Sequence, residues 1–303
     1  MTSPIQQPLV SVVIATYNGE NFLGRQIDSI LSQTYPNIEI IIVDDKSTDN
    51  TIYLIKNYAA KHPAIQFFAN EKKLGYSKSF EHGFLVAKGE FIAPCDQDNV
   101  WDIDKIRILV NEIGSHEIIF SDAELIDANG EKLHKKLSDI TRLQSFNNCL
   151  NYFFDITIPG HTMLVKKELL LRCVPFPTIV SYSFWLGFVA TCKGAIKFYS
   201  KVLVLDRQYK NRQNTYDKKI TSTQTISLAQ QRIKLLYDHC PETLIKEKKV
   251  LLRIYNSYQN FSLKNNCNRL FIFLKYRHQL LAHTKKSSFL KWLFCFKMFG
   301  TIK

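Results

Sequence analysis

The sequence predicts an α/β fold: a mainly parallel sheet flanked by helices, followed by a C-terminal α-helical extension. Three observations predict it. Short β-branched apolar runs alternate with segments of helical period over the first hundred residues, and a polar cluster closes three of these runs. Beyond Tyr209 the chain keeps helical period to its end.

The first strand is the run at 9–14, closed by the turn Thr16-Tyr17-Asn18-Gly19. Phe22, Leu23, Ile27, Ile30 and Leu31 then share one face of a helix over 21–33, which Tyr35-Pro36-Asn37 breaks. A second buried strand at 38–43 runs into Asp44-Asp45-Lys46-Ser47-Thr48-Asp49, followed by a helix over 51–61. Residues 65–69 form a third strand, and the loop 70–76 leads to a helix ending near Lys88-Gly89. The fourth strand, 90–94, ends in Cys95-Asp96-Gln97-Asp98. In sheets of this kind ligands bind beyond the carboxyl ends of the strands, where the clusters at 16–18, 44–49 and 96–99 all lie.

After Trp101 the pattern is mixed. Residues 118–120 read as a strand and Asp127-Ala128-Asn129-Gly130 as a hairpin turn. Pro159-Gly160-His161-Thr162-Met163 precedes a helix over 167–172, with a further helix over 183–192 and a strand over 196–205. Helices are expected over 222–239, 242–263, 267–283 and 287–298, with Pro241 in the first turn of the second.

Composition narrows the function. With 46% hydrophobic and 22% charged residues, the 303-residue chain is globular rather than disordered. No run of about 20 apolar residues predicts a membrane span, and residues 1–8 lack the order of a signal peptide, so a cytoplasmic location is expected. Seven cysteines without a CxxC pair argue against a disulfide framework. The net charge of +13 is unevenly placed: residues 207–303 carry 20 Lys and Arg against four Asp and Glu. That asymmetry, with Lys, Phe, Leu and Trp mixed over 288–300, points the extension at an anionic membrane surface, the alternative being a C-terminal helix packed on the catalytic core with solvated lysines. No nucleic-acid signature accompanies the charge, so no nucleic-acid partner is expected.

The chemistry lies in the strand-end clusters. Asp96 and Asp98 flank one residue and can share a hard divalent cation, the usual means of holding a pyrophosphate. Asp44 and Asp45 can accept hydrogen bonds from a base N–H or ribose hydroxyls. A P-loop, a GxGxxG after the first strand, a GxSxG elbow and HExxH are all missing, which argues against an ATPase, a dinucleotide enzyme, a serine hydrolase and a zincin. His161 alone is a possible ligand or base, though a lone His is more often structural.

The runs 10–18, 30–37 and 42–49, continued by 70–76, 87–92 and Asp96-Gln97-Asp98-Asn99-Val100-Trp101, together resemble the nucleotide-binding half of family 2 glycosyltransferases. The last of these, with Pro159-Gly160-His161-Thr162-Met163 and Arg207-Gln208, is similar to the rhamnosyltransferase-like branch of bacterial polysaccharide enzymes. The resemblance covers about residues 8–215 and implies a Rossmann-like GT-A domain over 1–215. Its nucleotide-binding half would be 1–101 and its acceptor-side half 102–215, with the basic extension at 216–303. It implies a nucleoside-diphosphate sugar donor, most readily UDP- or dTDP-linked, and a glycan or lipid-linked acceptor. Mg²⁺ or Mn²⁺ would sit at Asp96 and Asp98, with Thr16, Tyr17, Asn18, Asp44, Asp45, Asp96 and Gln97 lining the donor pocket. The implied reaction is a single inverting displacement. From the charge of its extension, the enzyme is expected to be peripheral at the inner face of the cell membrane.

The chain departs from that branch at two places. Asn99 stands where a third carboxylate is usual, and Ser183-Phe184 where a His-Asp pair precedes the Trp matched by Trp185. Tyr209 also stands at a common His position. Asp155, His161 and Asp122 are the substitute candidates for the base. The alternatives are a catalytically impaired nucleotide-sugar-binding scaffold subunit and a soluble protein glycosyltransferase.

Overall fold

The computed structural model of the chain describes residues 7–154, 158–208 and 222–299. Strand β1 (Val10–Thr16) is buried along its whole length. Val10, Val12 and Ile14 enter one hydrophobic cluster, and Val13 and Ala15 the other. This is the alternation of a strand covered on both faces, and it explains the unbroken apolar run. Chain order continues through α1 (Leu23–Leu31), β2 (Ile38–Asp44), α2 (Thr51–Lys61), β3 (Ile65–Ala69), α3 (Tyr76–Val86) and β4 (Phe91–Asp96). Then follow β5 (Val100–Trp101), α4 (Lys105–Glu112), β6 (Ile118–Ile126), β7 (Lys132–Lys136) and α5 (Leu137–Ile140). Two 3₁₀ turns (Cys149–Tyr152 and Gly160–Thr162) lead to β8 (Met163–Lys166), α6 (Lys167–Cys173), α7 (Tyr182–Lys193) and β9 (Ile196–Arg207).

These strands form one sheet in the order β3-β2-β1-β4-β8-β6-β9-β5, with β7 pairing β6. The β3, β2, β1 and β4 group is parallel, as the sequence predicts. The second half is mixed: β8 is antiparallel to both β4 and β6, β9 is parallel to β6, and β5 is antiparallel to β9. The short β5 was not anticipated, because a two-residue strand has no readable period. Helices α1, α2 and α4 cover one face of the sheet; α3, α6 and α7 cover the other.

The extension comprises α8 (Ser222–His239), α9 (Ile245–Ser257), α10 (Leu263–Leu280) and α11 (Ser288–Lys297). Both ends of the second and third expected helices shift, α9 ending at Ser257 rather than 263. Pro241 lies before α9, where its carbonyl accepts from Leu244 N in the preceding turn. Helix α10 starts early because the Ser262 hydroxyl accepts from Asn265 N, which caps it. Ile233, Leu251, Phe273 and Cys295 from the four helices join the same cluster as Phe80, Phe184 and Tyr152. Asn151 Nδ2 donates to Gln279 O at 3.0 Å, and Asn148 Nδ2 to Glu247 Oε1 at 3.0 Å. The extension is thereby packed on the face carrying α3 and α7.

Candidate active site

Register brings the three clusters to one edge. Thr16 pairs with Asp44 across β1 and β2, and Ala15 with Asp96 across β1 and β4. β1 is also where the strand order reverses, the usual place for a crevice in an open α/β sheet.

The nucleotide side is an interlocked wall. Gln97 Oε1 accepts from Thr16 Oγ1 at 2.6 Å and Tyr17 N at 2.9 Å, and Gln97 Nε2 donates to Tyr17 O at 3.2 Å. Asn18 adopts a left-handed conformation (φ 50°), and its Oδ1 accepts from Thr48 N at 2.9 Å. Buried Asp44 accepts from Ser47 N at 2.8 Å. Asp45 accepts from Leu74 N at 2.7 Å, Gly75 N at 2.8 Å and Asn70 Nδ2 at 2.9 Å, which ties the 70–75 loop to the end of β2. Gly75 has a φ of +89°, a conformation that suits glycine. The Lys73 ammonium sits 3.4 Å above the Tyr17 ring at the rim.

The acidic side centres on Asp96. Its Oδ1 accepts from the Tyr76 hydroxyl at 2.6 Å, and its Oδ2 lies 3.1 Å from His161 Nδ1. On the other side of the ring, His161 Nε2 is 3.9 Å from Asp206 Oδ1 and has no hydrogen-bond partner among the described residues. The imidazole therefore lies between two carboxylates. Beneath it, the fully buried Lys105 donates to His161 O at 2.8 Å and lies 3.2 Å above the Trp101 ring. Burial brings this lysine down from 10.5 to about 7, against the opposing pull of Cys95 and Asp96. Burial likewise raises the phenols of Tyr76 and Tyr182, whose hydroxyls are 3.5 Å apart.

Arg207 fixes the Asp96–Asp98 turn from behind. Its Nε donates to Asp98 O at 2.9 Å, its Nη1 to Asp127 O and Ala128 O, and its backbone N to Asn99 Oδ1 at 3.2 Å. Asp98 is nearly buried. Among the described residues no group of three or more His, Cys, Asp and Glu forms a metal cage. Two carboxylates at one strand end do fit a hard cation of the Mg²⁺ or Mn²⁺ kind, which takes one or two protein carboxylates and completes its shell with phosphate oxygens and water.

The base candidates separate. Asp122 is buried on β6; its carboxylate accepts from Ser138 Oγ at 2.6 Å, Ser138 N at 3.1 Å and Ala123 N at 2.9 Å, which anchors α5. Asp155 and Tyr209 lie outside the described residues. His161 stands at the Asp96 cluster. Ser183 is buried, with its hydroxyl 3.4 Å from that of Ser181. Phe184 is fully buried, edge-on to Tyr152 with ring centroids 5.7 Å apart. Sequence reasoning did not single out Tyr76, Lys105 or Asp206. Each had a faint signal: Tyr76 closes the 70–76 loop, Lys105 lies four residues after Trp101, and Asp206 precedes Arg207.

Known proteins resemble this chain in sequence and in fold. The family model described as "Glycosyl transferase family 2" matches residues 11–172. An uncharacterized glycosyltransferase of Rickettsia felis is 30% identical over 211 residues, 66% of this chain and 34% of that one. An uncharacterized glycosyltransferase of Haemophilus influenzae is 27% identical over 217 residues, 67% of each chain. The chain thus spans about a third of the first relative's length and two thirds of the second's. Among solved structures, Staphylococcus aureus TarS 1–349 in complex with UDP-GlcNAc superposes with a TM-score of 0.63 at 16% identity, over 90% of this chain and 81% of that one. A mannosyltransferase of Pyrobaculum calidifontis in complex with GDP-Man and Mn²⁺ gives 0.54 at 18% identity, over 96% and 80%. At these identities the likeness establishes the GT-A architecture.

Proposed function

Since the chain belongs to glycosyl transferase family 2, we propose that it moves one sugar from a nucleoside diphosphate, UDP- or dTDP-linked, to a glycan or lipid-linked acceptor, with inversion and with Mg²⁺ or Mn²⁺. The product would serve a bacterial surface polysaccharide or lipopolysaccharide, made at the cytoplasmic face of the membrane. The observation that carries this reading is the convergence of Thr16, Asp44 and Asp96 on one sheet edge. The sugar-nucleotide complexes of the two solved neighbours support the donor class.

Thr16, Tyr17, Asn18, Asp44, Asp45 and Gln97 hold the nucleoside side. Asp96 and Asp98 hold the cation, which when bound supplies positive charge against the departing diphosphate. In the displacement, the acceptor oxygen bonds to the anomeric carbon while the bond to the diphosphate oxygen breaks. The acceptor proton goes to His161, whose Nε2 has no hydrogen-bond partner among the described residues and faces Asp206. The His-Asp pair missing at 183–184 would thereby be supplied in space by His161 and Asp206.

The test is a thermal-shift and turnover panel of UDP-, dTDP-, GDP- and CDP-sugars with Mn²⁺ or EDTA. One donor should stabilise the protein only with metal, and Asp98→Ala should lose that stabilisation. His161→Gln should keep it while turnover falls by about 10²–10⁴-fold. Unchanged turnover in His161→Gln would remove His161 as base. Phe184 favours a second reading, the impaired scaffold subunit, for which wild type would bind a donor in the same panel without turning it over.

A further inference from the structure

Helix α11 is packed inside out. Lys291, Cys295 and, just past its end, Met298 point into the protein, whereas Phe289, Trp292, Leu293 and Phe296 point outward. The inward lysine is only 5% exposed, while Phe289 is 65% and Trp292 42% exposed. Burial and nearby Arg142 lower the Lys291 ammonium pKa, so this orientation is costly in water. The outward residues recur at i, i+3, i+4 and i+7, so they form one stripe. Their rings also touch: Phe289 stacks on Trp292 with centroids 6.3 Å apart, and Phe296 meets Trp292 edge-on at 4.6 Å.

Charge identifies what covers this stripe. Residues 248–303 contain twelve Lys and Arg and no Asp or Glu, and of the twelve Arg269 and Lys291 are buried. Lys285, Lys286 and Lys297 are exposed beside the ridge. A second copy would set this cationic surface against itself, whereas an anionic lipid surface complements it. Among the described residues no helix is long and apolar enough to cross a membrane, so the geometry is that of a helix lying in the interface.

We propose that the Phe289–Trp292–Leu293–Phe296 ridge of α11 inserts into the headgroup–acyl boundary of an anionic phospholipid bilayer, with Lys285, Lys286 and Lys297 against the headgroups. This deepens the membrane location in the proposed function and uses no residue of the sugar-transfer site.

The experiment is co-sedimentation of the full chain with vesicles of phosphatidylcholine alone or with about one third phosphatidylglycerol, followed by tryptophan emission. Trp101 and Trp185 are buried, so a blue shift on binding reports Trp292. Binding to the anionic vesicles should exceed that to neutral ones by at least tenfold and weaken with salt. The triple variant Phe289→Ser/Trp292→Ser/Phe296→Ser, on exposed positions, should keep the wild-type Tm and lose binding. Lys285→Glu/Lys286→Glu should reduce it on the order of tenfold. Asp98→Ala should bind vesicles like wild type, which separates this surface from catalysis. Equal binding to both vesicle types, or full binding by the triple variant, overturns the proposal. So does self-association that the triple variant abolishes without any vesicle binding, which would make the ridge an interface between copies.

Discussion

The resemblance read from the sequence leads one to expect a carboxylate at Phe184, yet its ring is packed against Tyr152 in the core. An aspartate there would be a buried charge with no partner at hand, which costs several kcal/mol. The double change Ser183→His/Phe184→Asp is therefore expected to lower the urea midpoint sharply and to give no gain in turnover. A stable variant with raised turnover would mean that the α7 N-terminus supplies the base. Lys105 makes a second residue-scale prediction. Its ammonium deprotonates at about 7 in the fold and at about 10.5 in the unfolded chain. Between those values the unfolded chain holds a proton that the fold does not, so stability rises with pH by at most about 1.4 kcal/mol per unit. Below 7 the burial penalty is present in full. Lys105→Met removes the penalty. The Tm of the variant relative to wild type should be highest at or below pH 7 and fall steadily towards pH 10. A difference that is flat with pH would show that Lys105 is not held neutral.

At the scale of elements, Arg269 ties the C-terminal ends of α9 and α11 to the body of α10. Its Nε donates to Met298 O at 2.8 Å, its Nη1 to Ser257 O at 2.6 Å and its Nη2 to Phe299 O at 3.0 Å, while the Tyr258 and Phe261 rings flank the guanidinium. Arg269→Leu leaves these buried carbonyls without a donor and should cost about 3 kcal/mol, read from urea unfolding. A loss below about 1 kcal/mol would mean that water replaces the arginine. Near the site, the tolerances are set by glycine. A Cβ on Gly160 would collide with the Tyr182 hydroxyl, and one on Gly187 with Tyr152. The turn carrying His161 and helix α7 thus approach their neighbours only because those positions lack side chains.

For the whole molecule, the hydrophobic cluster that holds α3, α7 and the sheet face also holds all four extension helices. The extension and the glycosyltransferase core should therefore unfold together. Far-ultraviolet circular dichroism and the emission of buried Trp185, which is edge-on to His239 at the end of α8, should trace a single urea transition. Two separated transitions would show an independently stable extension.

Much of the fold was legible because its signals are local. The two-sided burial of β1, β2 and β4 writes a continuous apolar run, and each parallel strand must end in a loop, so Thr16, Asp44 and Asp96 are readable as strand-end groups before any contact is known. Helix ends in the extension were less legible, since a single serine cap moved α10 by several residues. The mixed half of the sheet resisted reading because antiparallel insertion of β8 between β4 and β6 is a matter of pairing, which no period encodes. The sequence by itself determined the parallel half of the sheet with polar clusters at its strand ends, the family and the basic extension. Only the tertiary structure decided that His161 lies between Asp96 and Asp206, residues 110 positions apart, that Phe184 faces the core, and that α11 buries its lysine and exposes its aromatics. The reason is physical: composition and period are properties of neighbouring residues, whereas the face a side chain presents is settled by which distant elements pack against it.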